Sequence, residues 1–203
     1  MSDFYKVVLI GEANVGKTSI IAQFINNIFD EDYLASVSCQ FSRKTISFED
    51  NKSITFDIWD TAGQEKYRSL AKIFYKDAKA VILVYDITNK KSFEEMMSYW
   101  YKEVLDTNKN NMVYAVAANK SDLYEQQKVS DEEGEQFAKS INAIFMSTSA
   151  KNDSGIQVLF ENIGRKILGI ENYNDNGNKN ISLNNQSNNN NNNESGGFLY
   201  YHS

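Results

Sequence analysis

The chain has 203 residues, with 27 acidic side chains against 21 basic ones and a formal net charge of −6. That length suits one ordinary domain with a tail, and the charge excludes a general affinity for nucleic-acid polymers or for anionic membrane. Cys39 is the only cysteine, which excludes an internal disulfide, and no apolar run reaches the roughly 18 residues of a membrane span. The opening residues do not read as a charged-then-apolar export leader, so a reducing, cytoplasmic setting is expected.

In chain order, "KVVLI" reads as a short buried strand. A helix is predicted from Thr18 to Asn27, with Ile20, Ile21, Phe24, Ile25 and Ile28 at helical spacing. Next come "RKTISF" and "SITFDIWD", joined by the polar turn "EDNK" as a hairpin. "AVILVYDI" is nearly continuous in apolar residues, as a strand covered on both faces must be. "SFEEMMSYWYKEVL" is a predicted helix with Ser92 as N-cap and Glu95 three residues later. "MVYAVAANK" is another strand, and "SDEEGEQFAKSI" a helix with a capping box at Ser130 and Glu133. "AIFMSTSA" is the last strand, and Ser154 to Leu168 the last helix.

Strands alternating with helices imply an α/β fold, a doubly wound and mostly parallel sheet. Ligands of such sheets sit at the carboxyl ends of the strands. Beyond Glu171 the chain becomes rich in asparagine and poor in large apolar residues. It cannot bury enough surface to offset its ordering entropy, so residues 171–203 are expected to be a disordered tail behind a domain of residues 1–170. The closing "FLYYHS" reads as a frayed end or as a short peptide motif.

The chemistry lies at the strand ends. Gly11-x4-Gly16-Lys17-Thr18 has the spacing of a phosphate loop, between a strand and a helix. Its glycines let the backbone N–H groups of Ala13, Asn14, Val15, Gly16 and the residues up to Ser19 turn towards phosphate oxygens, with the helix dipole behind them. Lys17 would neutralise the β- and γ-phosphates, and the Thr18 hydroxyl would ligate Mg²⁺. "NKSD", Asn119 to Asp122, follows the fifth strand. Guanine offers two adjacent N–H donors, and Asp122 can accept both, whereas adenine has no such pair. Asn119 can tie the loop together, and the stem of Lys120 can cover the ring. "STSAK" follows the last strand and brings Ser149, Ala150 and Lys151, with the Ala150 N–H placed for guanine O6. In "WDTAGQE", Asp60 can hold Mg²⁺ through a water, the Gly63 N–H can reach a γ-phosphate, and Gln64 can orient an attacking water.

These elements resemble the Ras-like small GTPases, and among them the Rab family, over about Tyr5 to Leu168. The stretches that carry the likeness are "GEANVGKTS", "WDTAGQEKYRSL", "VILVYDIT", "SFEEMMSYW", "NKSDL" and "STSAK". The run "YRSL…VYDIT…SF" is most similar to the endosomal Rab branch. The resemblance implies a P-loop GTPase fold: six strands, one of them an antiparallel edge strand. It implies that Phe29 shields the guanine and that Phe41, Trp59 and Phe74 form an effector-facing aromatic trio, although Phe41 and Trp59 also fit ordinary core positions on strands.

Three departures from the family stand out. Ser36 occupies the first-switch position where Rabs carry a threonine, keeping a hydroxyl for Mg²⁺ while losing a methyl and some stiffness. Ala13 stands where Ras has glycine, its methyl directed at the γ-phosphate. The prenylated terminal cysteines of Rabs have no counterpart here, and residue 2 is not a myristoylated glycine, so no covalent lipid anchor is expected.

The resulting expectation is a monomeric switch that binds GTP or GDP with Mg²⁺. It hydrolyses GTP slowly through Gln64 and Lys17, and answers to effectors, an exchange factor and a GTPase-activating protein. Such a protein would be cytoplasmic, or peripheral on vesicle or endosomal membranes through protein partners. The alternatives are a GTP-occupied binding module with little turnover and, more distantly, a phosphate-loop small-molecule kinase.

Overall fold

Residues 4–30, 40–49, 51–61, 75–107 and 112–170 are described by the computed structural model. Ser36, Gly63, Gln64, Phe74 and the asparagine-rich tail lie outside the described residues.

Six strands form one sheet in the order β2-β3-β1-β4-β5-β6. They are β1 (Phe4–Ile10), β2 (Gln40–Ser47), β3 (Ser53–Asp60), β4 (Ala80–Asp86), β5 (Val113–Asn119) and β6 (Ile144–Thr148). β2 pairs antiparallel with β3, and every other pairing is parallel. The expected fold class, with its single antiparallel edge strand, is the one observed. The cause is visible in the strands themselves. Every residue of β4 is buried, because parallel neighbours need crossover helices and those helices cover both faces. In β3, buried Ile54, Phe56 and Ile58 alternate with half-buried Thr55, Asp57 and Trp59, the pattern of a strand with one face on the core.

Two apolar layers flank the sheet. On one face α1 (Lys17–Asn26) and α5 (Ile156–Leu168) bury Ile20, Ile21, Phe24, Leu159, Phe160 and Ile163 against Val7, Leu9, Phe56 and Ile58. Phe24 stacks on Phe160 with ring centroids 3.8 Å apart. On the other face α2 (Lys90–Glu95), a π-helical turn (Met96–Trp100), α3 (Tyr101–Thr107) and α4 (Asp131–Ser140) cover Val8, Ile10, Leu83 and Tyr85 with Phe93, Met96, Trp100, Val104 and Ala138. Each such large side chain contributes about 1.5–3 kcal/mol by leaving water.

Three expectations need correction. Ser92 does not cap its helix. Asn89 does, its side chain accepting from the Ser92 N–H, and Ser92 lies buried inside the first turn with its hydroxyl directed back at the Asp86 and Asn89 carbonyls. Ile28 is not on the buried stripe of α1. The helix stops at Asn26, Asn27 turns left-handed at φ 55°, and Ile28 is exposed. The last helix begins at Ile156 rather than Ser154, behind a left-handed Gly155. The Ser130–Glu133 capping box forms as expected.

The connections fix where a ligand can sit. β1 sends α1 to one face of the sheet, and its neighbour β4 sends α2 to the other. Helices leaving adjacent strands on opposite faces open a crevice at the strands' carboxyl ends.

Candidate functional site

The loop from β1 to α1 curls because two glycines permit it. Gly11 has φ 148°, and a Cβ there would stand 2.2 Å from the Val84 carbonyl oxygen. Gly16 has φ 93°, and a Cβ there would stand 2.3 Å from Asn119 Nδ2. Asn14 takes a left-handed turn at φ 64° on the exposed side of the loop, while Val15 is buried beneath it. Ala13 and Ser19 are half-buried on either side of these turns. No side chain caps α1, so the N–H groups of its first turn can meet an anion.

Lys17 is 5% exposed and folds across the loop. Its Nζ donates to the Gly11 carbonyl at 2.9 Å and to the Glu12 carbonyl at 2.8 Å. Burial lowers its pKa to about 8, against the opposing pull of Asp60 and Glu12. An ammonium held in a dry loop beside an uncapped helix start has the chemistry to receive an anion such as a phosphate.

Thr18 Oγ1 donates to Asp60 Oδ2. Asp60 is buried at the end of β3, and the next residue, Thr61, ties that strand end to β1 through Oγ1 and the Leu9 carbonyl at 2.7 Å. A hydroxyl and a carboxylate oxygen brought together are hard donors, and this chemistry fits Mg²⁺. Thr18 and Asp60 would hold the ion.

The second half of the crevice is built by β5 and β6. Asn119 is buried; its Nδ2 donates to the Val15 carbonyl at 2.8 Å, and its Oδ1 accepts from Thr148 Oγ1 at 3.1 Å. One side chain thus locks the phosphate loop to both base-side strands. Lys120 follows in a left-handed conformation (φ 66°), and its ammonium pairs with Asp86 at 2.7 Å. Asp122 accepts from Ser149 Oγ at 2.6 Å, and Ser149 Oγ itself accepts from the Asn152 N–H at 3.1 Å. Ala150 is nearly buried beside Ser149, while Lys151 is exposed. Phe29 is half-buried against the α1/α5 apolar layer.

Three residues of this region lie inside the quoted stretches but have no individual role legible there: Thr148 in "STSAK", Asp86 in "VILVYDIT" and Trp100 in "SFEEMMSYW". Thr148 and Asp86 are buried polar residues closing β6 and β4, a position that could have marked them. Trp100 Nε1 donates to Glu12 Oε1 at 3.0 Å, joining the π-helical turn to the phosphate loop. That contact spans 88 residues, and nothing in either local stretch announces it.

Phe41 and Trp59 lie on the β2–β3 end of the sheet rather than at the crevice. Their rings meet edge to face at 5.3 Å, and Phe41 is 49% exposed. Of the two readings open for Phe41, ordinary core does not hold.

The Ras family model matches residues 6–169 of the chain. The chain is 39% identical to the human protein named Ras-related protein Rab-22A over 181 residues, covering 89% of this chain and 92% of the relative. It is 38% identical to the rat protein named Ras-related protein Rab-31 over 182 residues, covering 90% and 92%. The dog Rab-22A is similar to the same degree, at 39% over 181 residues. With the phosphate loop, the guanine-type motifs and the sheet order already in place, the chain belongs to the Ras family, as a Rab-type small GTPase of the branch that holds Rab-22A and Rab-31.

Proposed function

We propose that this protein binds GTP and GDP with Mg²⁺, hydrolyses GTP slowly, and acts as a monomeric switch in vesicle or endosomal trafficking. One observation carries the reading. Asn119 joins the phosphate loop to the two base-side strand ends, so one crevice offers a phosphate cradle at one end and, at the other, an Asp122 carboxylate held by Ser149 beside Lys120 and Ala150.

The nucleotide roles follow. The backbone from Ala13 to Ser19 cradles the phosphates, and Lys17 neutralises charge that grows on the γ-phosphoryl oxygens. Asp122 pairs with the guanine N1 and N2 donors, Ala150 donates to O6, and Lys120 and Phe29 cover the ring. Mg²⁺, when bound at Thr18 and Asp60 with Ser36 as a third donor, offsets phosphate charge. Gln64 orients the attacking water and Gly63 donates to the γ-phosphate. The segment from Phe29 to Phe41 contains no arginine, so fast turnover calls for one from an activating partner. Phe41, Trp59 and Phe74 present the GTP state to effectors. Residues 1–170 carry this switch, with residues 171–203 as its tail. Names of Rab proteins among the relatives, and resemblance to the endosomal branch, support a trafficking role reached through protein partners.

The test is base choice. Asp122→Asn should weaken GTP and improve xanthosine triphosphate, because xanthine carries an acceptor in place of the 2-amino donor. Unchanged GTP affinity would remove Asp122 from the base site. Gln64→Leu should lower single-turnover hydrolysis with nucleotide affinity near the parent's, and an unchanged rate would assign the water to another residue.

A further inference from the structure

Asp86 is the last residue of β4, and its carboxylate is buried. Oδ1 accepts from the Thr88 N–H at 2.8 Å and from Thr88 Oγ1 at 2.7 Å. Oδ2 faces the Lys120 ammonium at 2.7 Å. The backbone is fixed as well. The Asp86 N–H donates to Ser92 Oγ at 3.1 Å, the Ile87 N–H donates to the Asn119 carbonyl at 3.1 Å, and Asp86 sits opposite Asn119 in the β4–β5 register. The carboxylate is therefore oriented by groups other than Lys120, and the lysine meets an acceptor already in place. Lysine stems are rotamer-rich, and freezing one on binding costs affinity. Here the freezing is done beforehand, within the protein.

The geometry points to Asp86 as a positioning residue of the nucleotide site. It holds Lys120 so that the stem forms one wall of the base crevice before nucleotide arrives. It acts on how long a purine nucleotide is retained, not on which purine is chosen. This inference rests on the reading of Lys120 and Asp122 as base-site residues.

The test uses the full chain loaded with fluorescent GDP and Mg²⁺, and reads the release rate. Asp86→Asn keeps an Oδ1 acceptor for Thr88 and replaces the charged Oδ2 acceptor that holds Lys120 with an amide donor. Release should quicken about tenfold, the scale of one hydrogen bond to a charged group. Lys120→Met should quicken release at least as much, and the double variant should release no faster than Lys120→Met alone. The ratio of GDP to inosine diphosphate retention should be unchanged in Asp86→Asn. A parent-like rate in Asp86→Asn, or effects that multiply in the double variant, would overturn the inference. If the unmutated protein fails to retain GDP at all, the base-site reading itself is wrong. Should Asp86→Asn not fold, the Lys120 ammonium of the unmutated GDP complex decides. A slowly exchanging ¹H–¹⁵N signal is expected, and exchange as fast as a free lysine's would overturn the ion pair's role.

Discussion

Asn119 is the residue on which the candidate site turns, because both ends of its amide are engaged and both partners are buried. Its replacement by alanine strands the Val15 carbonyl and the Thr148 hydroxyl in a dry interior. An unsatisfied buried polar group costs about 1–3 kcal/mol. Asn119→Ala should therefore lose about 2–6 kcal/mol of stability on the same scale, and release GDP faster than the parent. Thr148→Val removes only one of the two bonds and should cost about 1 kcal/mol, with the link to Val15 intact. Urea unfolding of the GDP complexes measures both. Equal losses in the two variants would show that the Val15 link carries no weight. Gly16 sets a matching constraint from the other side, since any Cβ there collides with Asn119 Nδ2.

The elements around the site are held by local rules in some places and by distant contacts in others. In α4, Ser130 Oγ accepts from the Glu133 N–H at 3.2 Å, and the Glu133 carboxylate accepts from the Ser130 N–H at 3.0 Å. Ser130→Ala should cost about 1 kcal/mol. The hydrogen bond from Lys90, then that from Ser130, lowers the Glu133 pKa below its ordinary 4.5. A depressed carboxylate stabilises the fold above the ordinary pKa, and that contribution fades as pH falls through the folded value. The melting-temperature gap between the parent and Glu133→Gln should thus be constant from pH 7 to about 5 and close below pH 4.5; a gap that widens in acid would contradict the capping account. The π-helical turn is a different case. It delivers the Trp100 indole to Glu12, and Trp100→Phe keeps a six-membered aromatic ring in this buried position while deleting the five-membered ring with its N–H. The variant should stay folded and release nucleotide several-fold faster, on the scale of one hydrogen bond to a charged group; release at the parent's rate would make the contact incidental.

These cases also show what the sequence could reveal. The buried strands were legible because parallel strands covered on both faces must be apolar along their length. The phosphate loop and "NKSD" were legible because their spacing is local. Ser92 misled because Ser-x-x-Glu is a capping signature, yet Asn89 stands three residues earlier. The bonds from Ser92 to the end of β4 then place it inside the helix. Asp86–Lys120, Thr148–Asn119 and Trp100–Glu12 join residues that only the fold brings together, and no periodicity encodes them.

At the scale of the whole molecule, five of the six strands run parallel from the antiparallel edge strand β2 onward, and three loops at their carboxyl ends are cross-linked through Asn119. No helix among the described residues is long and apolar enough to cross a membrane. A nucleotide that engages all three loops binds the native state and not the unfolded chain, so it should stabilise the domain by about 3 kcal/mol at a concentration a hundred times its Kd. Calorimetry with and without GDP checks this, and a melting temperature indifferent to GDP would contradict a shared site. The central claim is narrower: the crevice selects guanine and the protein turns the triphosphate over. The most direct measurement loads the purified protein with γ-labelled GTP in Mg²⁺ and excess unlabelled ATP, then follows retained label and released phosphate through a single turnover. The account predicts that ATP fails to compete and that phosphate appears at a slow, first-order rate while GDP stays bound. Displacement of the label by ATP, or GTP retained without any phosphate release, would contradict it.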